Sequence, residues 1–339
     1  MAYTISSSRR FTSWFAASLS LSLTLLTSCT TPSTNSSNTA STTQASSTEA
    51  VTLRIGFTAA DGGKLPIGPI GWAEHKGYLD DALADVGISD VQFAGFDSGP
   101  AVNEAVAASE LDISMNGDTP AIVGKTNGLR TRLVNLNQVG INVYLISKKD
   151  GPTSLEQLKG KTVGVRVGAI PHRYLVGVLE KTGLSDVKLV NLNNSEGEAA
   201  LARGDIDAYA ATSALAFRLK SQGYTVIDEA ANHADLTGSN ITSITEEFLK
   251  EHPDFVQKWY EVIQKATDEI KSNPQAYYQF VSEINDQPLD VSEFTSPTDL
   301  YPSEPLPADG LERLRKTQQF LVDEKIVKSQ FPFDEWVYR

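Results

Sequence analysis

Two stretches of this chain repeat one pattern, and that repetition limits the possible folds more than any other feature. Residues 109 to 121 read SELDISMNGDTPA, and residues 203 to 214 read RGDIDAYAATSA. Each runs from a polar turn into a short apolar strand, then into a turn of small residues that opens a helix. In the first, Pro120 suits the first turn of a helix, and Asp118 or Thr119 can cap it. A strand ending this way turns the unpaired N–H groups of the next helix outward, beyond the sheet edge. Ligands of open α/β sheets settle at that place.

The sequence around these stretches extends the cycle. Residues 51–57, VTLRIGF, alternate as a first strand, and 91–93, 133–136 and 141–146 supply further strands. A second unit begins near residue 147. Its strand, 162–167, meets the turn Gly168-Ala169-Ile170-Pro171 and a helix from His172 to Thr182, followed by strands at 187–190 and 206–210. The expected fold class is α/β with two lobes, each a mixed sheet flanked by helices, and a helical C-terminal tail. Residues 51–145 plus 236–339 are assigned to lobe 1 and 146–235 to lobe 2. In the tail, Trp259, Tyr260, Tyr277 and Tyr278 read as packing aromatics.

The N-terminus is a different kind of sequence. Arg9 and Arg10 precede an uncharged run from Phe11 to Leu26, closed by Leu26-Thr27-Ser28-Cys29. This reads as a secretory signal peptide over residues 1–28 whose end resembles a bacterial lipobox, with Cys29 as the lipidated residue. Cys29 is the chain's one cysteine, so an internal disulfide is impossible. From 29 to 50 the chain is almost entirely Ser, Thr, Asn, Ala and Gln, which bury too little apolar area to offset chain entropy; a disordered tether is expected. A lipid anchor and a leash suit a body held at the outer face of the cell membrane.

Several chemistries are excluded or unsupported. A formal net charge of −13 argues against nucleic acid as a partner. The four histidines, His75, His172, His233 and His252, fall in no metal-binding spacing, and no metal or cofactor is expected. No GxSxG elbow, phosphate loop or complete GxGxxG occurs, and the body lacks a thiol. No residue is therefore assigned a catalytic role.

Four segments together resemble the periplasmic solute-binding proteins of the nitrate/sulfonate/taurine class of ABC importers, nearest the aliphatic-sulfonate branch. They are LRIGF at 53–57, FDSGPAVNEAVAASELDISMNGDTPAI at 96–122, SLEQLKGKTVGVRVGAIPHRYLVGVLEKTGL at 154–184 and ALARGDIDAYA at 200–210. The resemblance implies a type II periplasmic-binding-protein fold, two lobes joined by two crossing strands, and capture of one small solute in the cleft. It further implies a monomer that delivers its solute to an ABC permease, with the importer's ATPase as an indirect partner.

Carried onto this sequence, the pocket turns fall on Pro66, Ile67 and Gly68; on Asn116, Gly117, Asp118 and Thr119; on Gly168, Ala169, Ile170 and His172; on Thr212 and Ser213; and on Thr237, Gly238 and Ser239. Asp61 and Glu196 join them as acidic residues on or near cleft turns. The chain departs from the sulfonate binders at three places. Ala169-Ile170-Pro171 stands where they carry serines, Thr212-Ser213-Ala214 replaces their Trp-Asp-Pro, and the first loop is longer by Asp61 to Lys64. Two solute classes therefore compete. An anion such as an aliphatic sulfonate, taurine or nitrate would use helix starts helped by His172, Arg173 or Lys64. A small amine or guanidinium compound would use Asp61, Asp118 and Glu196. An aromatic or heterocyclic precursor stands third, and a processing enzyme on the same scaffold is the remaining alternative.

Overall fold

The computed structural model describes residues 51–59 and 63–339. The expected signal peptide, Cys29, the tether and Asp61 lie outside the described residues.

The elements follow one another from β1 (Val51–Thr58) through α1 (Pro69–His75), α2 (Leu79–Ala84) and β2 (Ile88–Phe96) to α3 (Gly99–Ala107), β3 (Ile113–Gly117), α4 (Asp118–Thr126) and β4 (Thr131–Ile141). A second set comprises β5 (Tyr144–Ser147), β6 (Thr162–Val165), α5 (Ile170–Lys181), β7 (Lys188–Asn191), α6 (Asn194–Arg203), β8 (Ala208–Ala211), α7 (Ser213–Ser221) and β9 (Thr225–Glu229). The chain then returns through β10 (Gly238–Thr245) into the tail: α8 (Glu246–Glu251), α9 (Phe255–Ser272), α10 (Pro274–Asn285), α11 (Leu289–Thr295), α12 (Ala308–Asp323) and α13 (Phe333–Trp336).

The strands form two five-stranded sheets, ordered β2-β1-β3-β10-β4 and β7-β6-β8-β5-β9. They share one plan. The first three strands are parallel, and the fourth, β10 or β5, runs antiparallel to both neighbours. In each sheet that fourth strand is the one entered just after the chain crosses between lobes. The crossings are residues 142–143 and 230–237.

Each sheet is covered on both faces. In β8, Ala208 and Ala210 join Val163, Val165, Leu175 and Val178 under α5, while Tyr209 and Ala211 pack with Leu201 and Leu215 beneath α6 and α7. That alternation is the period-two signature of a strand with two buried faces. In lobe 1, Leu53, Ile55 and Phe57 pack against Trp72, Trp259 and Phe280, so α1, α9 and α10 cover one face. Helices α12 and α13 close a further cluster over Leu133, Leu136 and Ile241 with Leu314, Leu321 and Trp336. The tail also touches lobe 2: Phe294 on α11 packs on Tyr144 and Phe217, with ring centroids 5.7 and 5.2 Å apart.

One element departs from expectation. The region beyond Asp235 reads as turn and helix in the sequence, yet 238–245, GSNITSIT, is a strand at the inner position between β3 and β4. Ser243 and Thr242 within it are buried and satisfied sideways, whereas the buried Ser239 Oγ has no hydrogen-bond partner among the described residues. Ser243 Oγ lies 3.1 Å from Ser114 Oγ, and Thr242 Oγ1 donates to Asn137 Oδ1 at 3.1 Å. Such pairing lets hydroxyls occupy an interior that hydrophobic pattern alone assigns to apolar residues.

Candidate functional site

Because the parallel strands end toward the same edge of each sheet, the helices that follow them start there too. Lobe 1 brings the starts of α1, α3 and α4 to its rim, and lobe 2 those of α5, α6 and α7. Two of these starts are closed by their own side chains. Ser98 Oγ accepts from Ala101 N at 3.4 Å, and Asn193 with Glu196 forms a reciprocal capping box on α6. The starts of α4, α5 and α7 carry no capping side-chain bond from the residue before them, so their positive dipole ends stay uncapped although Thr119 N is taken by Asp118 and His172 N and Arg173 N by Ala169 O.

The expected pocket residues distribute over both rims. Pro66, Ile67 and Gly68 precede α1; Asn116 to Thr119 form the β3–α4 junction; Gly238 and Ser239 open β10, with Thr237 just before them. From lobe 2 come Gly168, Ala169, Ile170 and His172 at the β6–α5 junction, Glu196 in α6, and Thr212 and Ser213 at the start of α7.

The contact between the rims is centred on Asp118 and Arg173. Both are buried, Asp118 completely. Asp118 Oδ1 accepts from Thr119 N at 2.5 Å and Thr119 Oγ1 at 2.9 Å; Oδ2 accepts from Ser239 N at 2.8 Å and Arg173 Nη2 at 3.3 Å. Arg173 also donates to Thr119 Oγ1, to Thr237 O at 2.9 Å and to Asp235 O at 3.3 Å. One guanidinium on α5 thus ties lobe 2 to α4 and to the second crossing. Buried charges persist when paired and hydrogen-bonded in this way.

These bonds rearrange the expected roles. Asp118 does not act as a side-chain cap from the residue ahead of its helix; it stands at the first helical position and neutralises Arg173. Glu196 Oε2 accepts from Asn193 N at 2.8 Å and belongs to its own helix start. Asn116 turns away toward α3, donating to Gly99 O and Asn103 Oδ1, each at 3.2 Å. His172 is largely buried, and burial pushes its imidazole below the ordinary range, so it is neutral at pH 7. Its Nδ1 accepts from Gly168 N. Lys64 is exposed.

One basic group escaped the sequence reading. Arg166, just past the end of β6, donates through Nη1 to Asp97 O across the gap and has no carboxylate partner among the described residues. It also lies near the buried Tyr209, whose phenol burial raises while Arg166 acts in the opposite sense. A lone arginine at a strand end beside the Gly168 turn was the signal available. Two apolar side chains, Ile67 at 37% and Val167 at 46% exposure, stand on the lobe 1 and lobe 2 rims. Among the described residues no group of three or more His, Cys, Asp or Glu is placed to hold a metal.

The comparisons with known proteins agree with this architecture. A family model described as NMT1/THI5 like matches residues 67–277. A protein of Bacillus subtilis (strain 168), provisionally assigned as an aliphatic sulfonates-binding protein, is 29% identical over 262 residues, or 76% of this chain and 77% of that one. The alkanesulfonate-binding protein SsuA from Xanthomonas axonopodis pv. citri, solved bound to MOPS, aligns with a TM-score of 0.72 at 20% identity over 86% of this chain and 99% of that one. The desulfurization enzyme DSZB aligns with a TM-score of 0.67 at 16% identity over 85% and 96%. At such identities the two structures establish the two-lobed periplasmic-binding-protein fold alone, which serves both a binder and an enzyme.

Proposed function

The chain belongs to the NMT1/THI5-like family, and from that premise we propose that it is the solute-binding component of an ABC importer. It captures a small organic anion of the alkanesulfonate class between its lobes and passes it to a permease. The relatives' binding roles support transport, and one observation favours an anion: the described carboxylates of the candidate turns are already committed. Asp118 is bonded to Arg173, Thr119 and Ser239 N, and Glu196 to its own capping box. Arg166 is held by a backbone carbonyl alone, which an incoming anion can replace or share. A cationic solute would depend on Asp61.

Binding rather than catalysis is supported by the chemistry of the rims, where Asp118 is bonded to Arg173 and Glu196 to its own helix start. The two lobes, assigned from the sequence as residues 51–145 plus 236–339 and residues 146–235 and divided at the crossings 142–143 and 230–237 so that all of β5 falls in lobe 2, are the bodies that close on the solute. Closure follows if the solute contacts both rims, because a ligand shifts the equilibrium only by its excess affinity for the closed form. Upstream, Cys29 carries the lipid that holds a monomeric body at the periplasmic face of the membrane. Replacing it, as Cys29→Ala, should move the protein from the membrane to the soluble fraction in cell fractionation.

The deciding experiment is titration calorimetry with ethanesulfonate, taurine and nitrate against guanidinium and ethylamine. Sulfonate binding is expected, with Arg166→Ala weakening it about tenfold or more. Guanidinium binding without sulfonate binding would reject the anion reading.

A further inference from the structure

We propose that Ile170 is the specificity-determining residue of the cleft, an apolar stop at its hinge-side end against which the solute's organic substituent rests. This builds on the reading of the interlobe gap as the solute site. Ile170 is the first residue of α5 in lobe 2, and its side chain packs on the lobe 2 core while also reaching lobe 1. A Cβ added to Gly238 would meet Ile170 Cγ2 at 2.5 Å, and one added to Gly117 would meet its Cδ1 at 3.1 Å. Gly117 has an ordinary φ of −65°, so there it is space for the isoleucine, and not backbone conformation, that glycine provides.

Five backbone donors around this seat are already taken, while the buried Ser239 Oγ beside it has no hydrogen-bond partner among the described residues. Thr119 N and Ser239 N are bonded to Asp118, His172 N and Arg173 N to Ala169 O, and Gly168 N to His172 Nδ1. Pro171 has no N–H. At the hinge-side end of the gap the Ile170 side chain therefore presents hydrocarbon to the solute. A charged head group pressed against it would lose water without gaining a charged partner. The head consequently points away from the α4–α5 junction and the organic substituent points toward it. The length of that substituent is limited by Ile170.

The test uses two homologous series, n-alkanesulfonates and n-alkylguanidiniums of one to eight carbons, titrated into the protein and its Ile170→Ala and Ile170→Val variants. Affinity in the wild type should rise about fourfold per methylene and then fall once the chain reaches the stop. In Ile170→Ala the optimum should move out by about two to three carbons, and in Ile170→Val by about one. Gly238→Ala, which forces the isoleucine into the gap, should shorten it. Thermal melting confirms that each variant is folded, and the milder Ile170→Val keeps the comparison available. An unmoved optimum in folded Ile170→Ala overturns the proposal while leaving sulfonate binding intact. An optimum that moves in the guanidinium series alone upholds the stop and rejects the anion reading. Failure of both series to bind rejects both.

Discussion

Asp118 engages both carboxylate oxygens with groups from three segments, and the pair it makes with Arg173 is sealed from water. Removing one member leaves a buried charge uncompensated. Asp118→Ala or Arg173→Met should each lower the unfolding free energy by about 3–5 kcal/mol, and the double variant should lose less than the two losses combined. Urea denaturation of the three variants checks this. His172 makes a second prediction at the same scale. Burial holds its folded pKa below the ordinary value, so the unfolded chain takes up the proton first. Stability from this residue is complete above about pH 6.5 and declines as pH falls below it, by at most about 1.4 kcal/mol per pH unit, until the folded imidazole also protonates. His172→Gln should flatten that part of the stability profile.

At the scale of elements, the strand–turn–helix units were legible because period and turn chemistry agree: in β3–α4 and β8–α7 the apolar run ends at small residues and the helix starts at once. Strand β10 was not, since Ser243, Thr242 and Asn240 find their partners Ser114, Asn137 and Gln138 only once β3 and β4 arrive from more than a hundred residues away. For the same reason the sequence placed Asp118 and Arg173 at the cleft, the arginine as an aid to an anion, but not their pairing across 55 residues. Ile170 was noted as a departure from the serine run, while its seat between Gly117 and Gly238 depends on both lobes being in place. The helical tail was legible in outline, and its reach to lobe 2 was not. Phe294 on α11 is the aromatic contact from tail to α7, flanked by Lys220 at 5.3 Å from its ring. Phe294→Ala should cost about 1–2 kcal/mol and loosen that seam, read as faster amide exchange in α7 and α11.

Viewed as a whole, lobe 2 is one continuous stretch of chain, whereas lobe 1 is interrupted by it. The gap between β3 and β4 is filled by a strand that follows all of lobe 2, so neighbours in the finished first sheet cannot all be present until the chain has gone out and come back. Refolding should accordingly be biphasic, the interrupted half lagging because its pairing closes the longer loop. Val163→Ala, within lobe 2, should alter the early phase, and Ile241→Ala, within β10, the late one. The nascent polypeptide would then carry an unzipped edge from β3 until residue 245 emerges, and a chaperone holding the chain for export has its natural grip there.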